Sequence, residues 1–489
     1  MLNRRELVQG ALATGALLPV ARASGPGSDV TALTLRQASA ALRRRSLSPV
    51  ELTRACLDRI TALDAGLNSF ITLVPDQALA QARECESELR RGRRRGPLHG
   101  IPMALKDNID TAGLRTTAAA KGFADRIPAV DAEVVRRLKD AGAVLLGKLN
   151  MDECAYGVTS TSGYFGAVQN PWRAGYSAGG SSGGPAAAVA AGLCYGALGT
   201  DTGGSIRQPA AWCGITGLKP TFGLVSARGV IPLSWSLDHV GPLCRTAEDA
   251  ALVLEAIAGF DALDPGSIEA PAVDYVGELD QATRRLRLGR PDNLYFTDLD
   301  PAIEGAVTAA IGVLTSLTAG VRTVTLPPIP NLALLFVEAS AWYAPALAAT
   351  PDGFSPGIHA LVEAGRKISA ATYAEARQQL ALTRHAARQV FTAVDLVVTP
   401  TTPDLPSALA AGSGPARRGP PLSARNTTPF NIYGLPTVSV NCGFSASGLP
   451  IGLQISGPPG GDARVLALAH AYQRQTGWHL RHPAPFQQE

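Results

Sequence analysis

Two glycine-rich turns constrain this chain more than any other feature. Gly179-Gly180-Ser181-Ser182-Gly183-Gly184 is followed, after a short run of small residues, by Thr200-Asp201-Thr202-Gly203-Gly204-Ser205-Ile206-Arg207. Glycine takes positive φ without steric cost and lets other atoms approach the backbone closely. A glycine–serine stretch alone is equally the composition of a flexible linker. Here Pro185-Ala186-Ala187-Ala188-Val189-Ala190-Ala191 follows at once and reads as a small-residue helix, so the turns belong to a packed core. Successive N–H groups around Thr202, Gly203 and Gly204 can converge into an anion-binding concavity, an oxyanion hole beside Ser205.

Upstream, Lys106 follows the mostly apolar run Leu98-His99-Gly100-Ile101-Pro102-Met103-Ala104-Leu105. The chain has only six lysines (Lys106, Lys121, Lys139, Lys148, Lys219, Lys367) among 44 basic residues. The pKa of arginine stays above about 12, so it cannot act as a base near neutrality. A lysine can, once burial lowers its pKa towards neutrality. A serine hydroxyl in turn needs such a neighbour to become a nucleophile. Two serines on glycine turns and one lysine in an apolar segment are the parts of a Ser-Ser-Lys hydrolase. The bland alternative for the lysine is a packed stem with its charge in water.

In the order and spacing of these blocks the chain resembles the amidase signature family. The resemblance implies that Ser205 is the acylated nucleophile, that Ser181 relays the proton through a cis peptide bond with Gly180, and that Lys106 is the terminal base. Ser182, Asp201 and Arg207 match positions that support the loops. Ala155, Tyr156, Gly179 and Gly180 are candidate substrate contacts. Two departures bear on loop geometry: Ala178 stands where the family usually has proline, and Gln208 follows Arg207. The resemblance implies a single α/β/α domain around a mixed, twisted sheet, acting on small-molecule amides with water, as a monomer or homodimer. It is strongest over 97–245 and 426–457, including Thr428-Pro429-Phe430-Asn431 and Gly448-Leu449-Pro450-Ile451. No cofactor motif and no metal-ligand spacing occur.

Gly179–Gly183 also fits G-x-S-x-G, the nucleophile elbow, which would make Ser181 the nucleophile with His470 or His479 downstream. That reading needs a hydrophobic strand immediately before the turn, and Asn170–Tyr176 reads as a loop. His470 sits in a helical pattern, and His239 reads as structural. No serine has a lysine three residues on, which removes the S-x-x-K hydrolases.

Asn3-Arg4-Arg5-Glu6-Leu7, a mildly apolar run to Val20 and Ala21-Arg22-Ala23 read as a twin-arginine export signal over 1–23. The run is too short to span a bilayer, so the expectation is an exported, periplasmic or secreted enzyme without stable membrane insertion after cleavage. Arg4, Arg5 and Arg22 against Glu6 carry +2 of the net +4, leaving a mature chain of 24–489 near neutrality with no sign of a nucleic-acid partner. The seven cysteines are odd in number and show no C-x-x-C, against both zinc and a disulfide framework. The alternatives on this scaffold are a glutamine amidotransferase-type component that serves charged tRNA, or a catalytically silent binding protein. The signal opposes the first and the three reactive residues the second.

Thr34-Leu35-Arg36-Gln37 and Ser48-Pro49-Val50-Glu51 predict capping boxes opening helices at about 35–45 and 49–65. A buried strand is expected over 143–147, a strand near 287–289, helices over 301–317 and 373–391, and a strand at 395–400. Thr246 is expected to cap a helix, and the Gly/Pro-rich loop 407–423 to be mobile. Residues 260–425 match the family least. With Phe336, Trp342, Tyr343 and Phe354, and with Tyr156, Tyr164 and Phe165 before the first serine, they predict an apolar or aryl substrate pocket.

Overall fold

The computed structural model describes residues 29–409 and 424–484. The export signal at 1–23 and the greater part of the loop 407–423 lie outside the described residues. Both capping boxes form: Thr34 and Gln37 open the helix Leu35–Arg43, and Ser48 and Glu51 open Pro49–Leu67. Each pairs two otherwise unsatisfied backbone N–H groups with side chains.

Thirteen strands occur among the described residues. They are β1 (Phe70–Leu73), β2 (Pro102–Lys106), β3 (Val144–Leu149), β4 (Gln169–Asn170), β5 (Arg173–Ser177), β6 (Gly196–Asp201), β7 (Thr216–Lys219), β8 (His239–Cys244), β9 (Leu288–Pro291), β10 (Val321–Val324), β11 (Leu396–Pro400), β12 (Thr437–Phe444) and β13 (Pro450–Ser456). Eleven make one mixed sheet in the order β1-β3-β2-β6-β8-β7-β12-β13-β11-β9-β10, surrounded by helices. Every residue of β2, β3 and β6 is buried, as expected of strands covered on both faces. The helices Pro301–Leu317 and Ala370–Val390 and the strands β9 and β11 lie close to their expected places, and Thr246 caps Ala247–Ile257.

One expectation changes. Residues 169–177 form the hairpin β4–β5 rather than a plain loop, with Gly175 at φ 76° and its N–H donating to Gln169 Oε1 at 2.9 Å. It stands outside the main sheet, and Arg173, Ala174 and Gly175 are exposed, so it is not the buried strand a nucleophile elbow requires.

The arrangement that matters is β2 beside β6. They run parallel, with Met103 opposite Gly196 and Leu105 opposite Leu198. Their C-terminal ends therefore lie together and carry Lys106 and Asp201. The helix Gly183–Ala190 packs on both strands and is buried throughout. Its small side chains, mostly alanine, are what allow that close approach. It brings Ser181 and Ser182, at its N-terminal end, over the edge where β6 delivers the second glycine turn. The helix Arg207–Cys213 packs against it and follows Ser205 directly.

Candidate active site

Lys106 is fully buried at the end of β2. Its Nζ lies 2.8 Å from Ser181 Oγ and 2.8 Å from Thr200 Oγ1, and 3.4 Å from Thr200 O. Burial pushes its pKa down to about 7, only partly opposed by Asp152, Asp201 and Asp238. A neutral lysine keeps two hydrogens, which the two oxygens of Thr200 accept. Its lone pair is then left for Ser181, whose hydroxyl donates. Asn108 Nδ2 donates to Thr200 Oγ1 at 3.1 Å and fixes that side chain.

The peptide bond Gly180–Ser181 is cis. Gly180 N–H donates to Gln208 Oε1 at 2.8 Å, and Gly179 N–H to Ser177 Oγ at 2.9 Å. A Cβ on Gly180 would stand 2.2 Å from Asp152 Oδ2, so no other residue fits. Asp152 is itself the hub of the neighbouring loop, accepting from the N–H groups of Thr159, Ser160 and Thr161 and from Ser162 Oγ. Gln208, a departure in the sequence, is thus the acceptor that anchors the first serine turn.

Ser182 N–H donates to Ser205 O at 3.2 Å, tying the two turns together. Ser182 Oγ donates to Thr200 O at 3.2 Å. No hydrogen bond joins Ser181 Oγ to Ser205 Oγ. Ser205 itself is 7 % exposed.

Of the expected oxyanion donors, Gly204 is corrected. Its N–H donates to Asp201 Oδ1 at 2.8 Å. Its glycine is required because a Cβ would meet Thr427 Oγ1 at 2.1 Å. The N–H groups of Thr202, Gly203 and Ser205 have no acceptor among the described residues and form the available donor set.

The turn is held from below by Asp201 and Arg207, a fully buried pair with contacts of 2.9 and 3.0 Å. Burial alone would raise the Asp201 pKa; the Arg207 guanidinium outweighs it and holds the carboxyl well below the usual range. Arg207 spends its remaining hydrogens on Thr427 O (2.9 Å), Gln454 Oε1 (3.2 Å) and Asn431 Oδ1 (2.6 Å). A buried charge survives only when paired and fully hydrogen-bonded, and this one is. Thr427 and Thr428 both donate to Gly203 O, so the segment after residue 424 clamps the turn from the far end of the sequence.

Ser181 meets a lysine, and neither His470 nor His479 hydrogen-bonds to it, which removes the elbow reading. His239 is buried with Nδ1 2.6 Å from Leu237 O, and burial pushes its pKa well below the ordinary value. Ala155 is buried next to Cys154, both at positive φ, while Tyr156 beside them is 36 % exposed. Among the other aromatics, Tyr343 and Phe354 are core residues; Tyr343 donates to Pro232 O at 2.9 Å. Phe336 and Phe165 pack on the same core cluster. Tyr164 and Trp342 are exposed. All seven cysteines are free and buried.

Residues 51–466 match the amidase family. The chain belongs to it. The amidase is 43% identical to a glutamyl-tRNA(Gln) amidotransferase subunit of Methylococcus capsulatus, over 92% of this chain and 98% of that one. It is 39% identical to an amidase of Pseudomonas putida, over 93% and 98%. A bacterial aryl acylamidase of the amidase signature family superposes with a TM-score of 0.85 at 26% identity, covering 92% of this amidase and 98% of that chain. Family and fold together make this an amide-hydrolysing enzyme.

The sequence singled out Lys106, both serines, Asp201 and Arg207, and these do gather about the C-terminal ends of β2 and β6. It missed Thr200, Asn108, Asp152, Asp238 and Thr427, and marked Gln208 only as a departure bearing on loop geometry. Asn431 stands in one of the matching motifs, which alone gives it no role. Asp238 accepts the hydroxyl of Thr202, which makes it part of the same turn.

Proposed function

We propose that the enzyme hydrolyses linear amides of apolar or aryl character through an acyl-enzyme formed on Ser205. The observation that carries this reading is a buried lysine, poised near neutrality, 2.8 Å from Ser181, whose turn is tied to the nucleophile loop by the Ser182 N–H bond to Ser205 O. Neutral Lys106 accepts the Ser181 proton, and Ser181 accepts that of Ser205 as its Oγ rotates towards it and adds to the carbonyl carbon. The oxyanion settles on the N–H groups of Thr202, Gly203 and Ser205. The C–N bond then breaks, and the same relay returns the proton to the departing amine. Water enters by the reverse proton path and releases the acid, restoring Ser205. Each oxyanion donor is worth roughly a hundred- to a thousandfold in rate. Esters and carbamates offer the same carbonyl and a leaving group, and fall within the reading. So does export to the periplasm or medium.

What favours apolar or aryl substrates is the exposed Tyr156 next to Ala155, together with the likeness to an aryl acylamidase. The test is intact-mass spectrometry after treatment with a sulfonyl fluoride or organophosphorus probe, followed by peptide mapping. One adduct on Ser205, absent in Ser205→Ala, is expected; an adduct on Ser181 would overturn the assignment. A second reading, a glutamine amidotransferase-type subunit, is favoured by the 43% identity above. Turnover of aryl amides by the isolated chain, with no preference for glutamine, decides against it.

A further inference from the structure

A cavity of about 860 Å³ opens between segment 222–238, the turn 263–266 and the helices Ala333–Ala349 and Ala370–Val390. None of Lys106, Ser181 or Ser205 lines it. Its apolar side includes Phe222, Leu263 and the indoles of Trp235 and Trp342, each indole 47% exposed. The other side carries Arg377, Arg384 and Arg388, spaced along one face of a single helix.

The charges around this cavity do not cancel. Arg228 is engaged by Glu133 and Asp261, both at 2.7 Å. Asp264 accepts from Ala227 N–H and Ser226 Oγ, and Asp238 from Thr202, Leu233 and Ser234. Burial pushes the Asp238 carboxyl up to about 7, so near neutrality it supplies only part of a charge. Glu338 accepts from Ser234, Ser236 and Tyr373, and stands 4.0 Å from Arg377. Arg384 and Arg388 have no carboxylate within ion-pair distance among the described residues. Arg384 is fixed in place, donating to Ser236 O at 2.8 Å and Ile432 O at 3.1 Å, with its guanidinium 4.3 Å from the Phe222 ring. Arg388 makes no side-chain hydrogen bond there at all. Like charges one helical turn apart repel. Burial, with Arg377 and Arg388 adding to it, lowers the Arg384 pKa to about 10.

A rigid guanidinium beside a second, unengaged one is suited to a carboxylate, which both can fork. Exposed indoles across the same space are suited to an apolar or aromatic body. We propose that this cavity binds an amphipathic carboxylate, an aromatic or alkyl body ending in an anionic group, outside the serine–lysine centre. The carboxylate belongs either to the far end of an extended substrate or to a separate acid such as a product. Asp238 links the two places, since it lines the cavity and accepts the Thr202 hydroxyl of the oxyanion turn.

The experiment is isothermal titration calorimetry of the whole enzyme with 1-naphthaleneacetate and with 2-(1-naphthyl)ethanol. The acid should bind at least about tenfold more tightly than the alcohol, and Arg388→Gln should remove about tenfold of that affinity. Arg388 is exposed and without a side-chain hydrogen bond or ion pair among the described residues, so its loss leaves the fold intact. Binding should persist after Ser205 is blocked by methanesulfonyl fluoride, which also separates this result from the fate of the catalytic assignment. Equal affinity for acid and alcohol, no effect of Arg388→Gln, or loss of binding on blocking Ser205 would each overturn the proposal. Kinetics then identify the source. A KM lower for amides with a distal carboxylate, and raised by Arg388→Gln, assigns the anion to the substrate. Equal KM values with the probe still bound assign it to a separate molecule.

Discussion

Replacing Lys106 by methionine should abolish turnover and yet stabilise the protein at neutral pH. The pKa of Lys106 falls from 10.5 to about 7 on burial. Between those values the unfolded chain binds a proton that the folded enzyme does not, so this lysine makes stability rise with pH across that window. Integrating the linkage, the lysine costs the fold about 4 kcal/mol near pH 7 and about 2 kcal/mol near pH 9. Below about pH 6 the penalty is constant, because the lysine is protonated in both states there. Methionine removes this penalty but leaves Ser181 Oγ without its partner and Thr200 Oγ1 with Asn108 alone, at roughly 1 kcal/mol each at most and independent of pH. The difference in unfolding free energy between variant and wild type should therefore grow by about 2 kcal/mol as pH falls from about 9 to 7, then level off. Urea denaturation at several pH values reads this from the midpoints, provided the slope is unchanged. A difference that stays flat from about pH 6 to 9 would mean that the folded lysine keeps its ordinary pKa, and the argument for Lys106 as the base would fall with it.

The same pKa sets the activity profile. kcat/KM for a neutral amide should rise about tenfold between about pH 6 and 8 along a limb near 7, because only neutral Lys106 can accept a proton. Gly180→Ala places a Cβ 2.2 Å from Asp152 Oδ2 and 2.7 Å from Thr159 N. Displacing that turn should cost about 1–3 kcal/mol in thermal or chemical unfolding and abolish labelling of Ser205. Gln208→Ala strips the buried Gly180 N–H of its acceptor. It should lower stability by about 1–3 kcal/mol and reduce kcat while leaving the pH limb in place, whereas a shifted limb would show that Gln208 acts on Lys106 instead.

The parts of this enzyme legible in its sequence are those whose physics is local. Thr34–Gln37 and Ser48–Glu51 close hydrogen bonds over three residues, and both helices begin where those bonds require. Six glycines in two clusters declare that backbone passes close to something. They do not say what, and for one of them the oxyanion role does not hold. Gly204 makes room for Thr427, not for a ligand, and its N–H turns inwards to Asp201. The hidden residues act across long separations: Arg207 reaches Thr427 and Asn431, and Asn108 reaches Thr200. No periodicity or spacing encodes such pairs: Asn108 meets Thr200 only once β2 and β6 lie side by side, and Arg207 meets Thr427 and Asn431 only once the segment after residue 424 closes on the turn. Likewise, Tyr343 and Phe354 have the composition of a pocket and the position of a core, and only packing distinguishes the two.

That distinction bears on how the base is kept neutral. Asp152, Asp201 and Asp238 all stand close enough to raise the Lys106 pKa, and unshielded they would hold it protonated. Each is already engaged: Asp152 by three loop amides and a serine, Asp201 by a buried guanidinium, and Asp238 by Thr202 and two backbone amides. The charge of Asp201 is compensated by Arg207 and burial leaves Asp238 only partly ionised near neutrality, so desolvation dominates at the lysine. The residues that brace the loops are therefore also what leaves Lys106 free to act as a base, and this requirement explains why so many buried polar side chains surround three reactive ones.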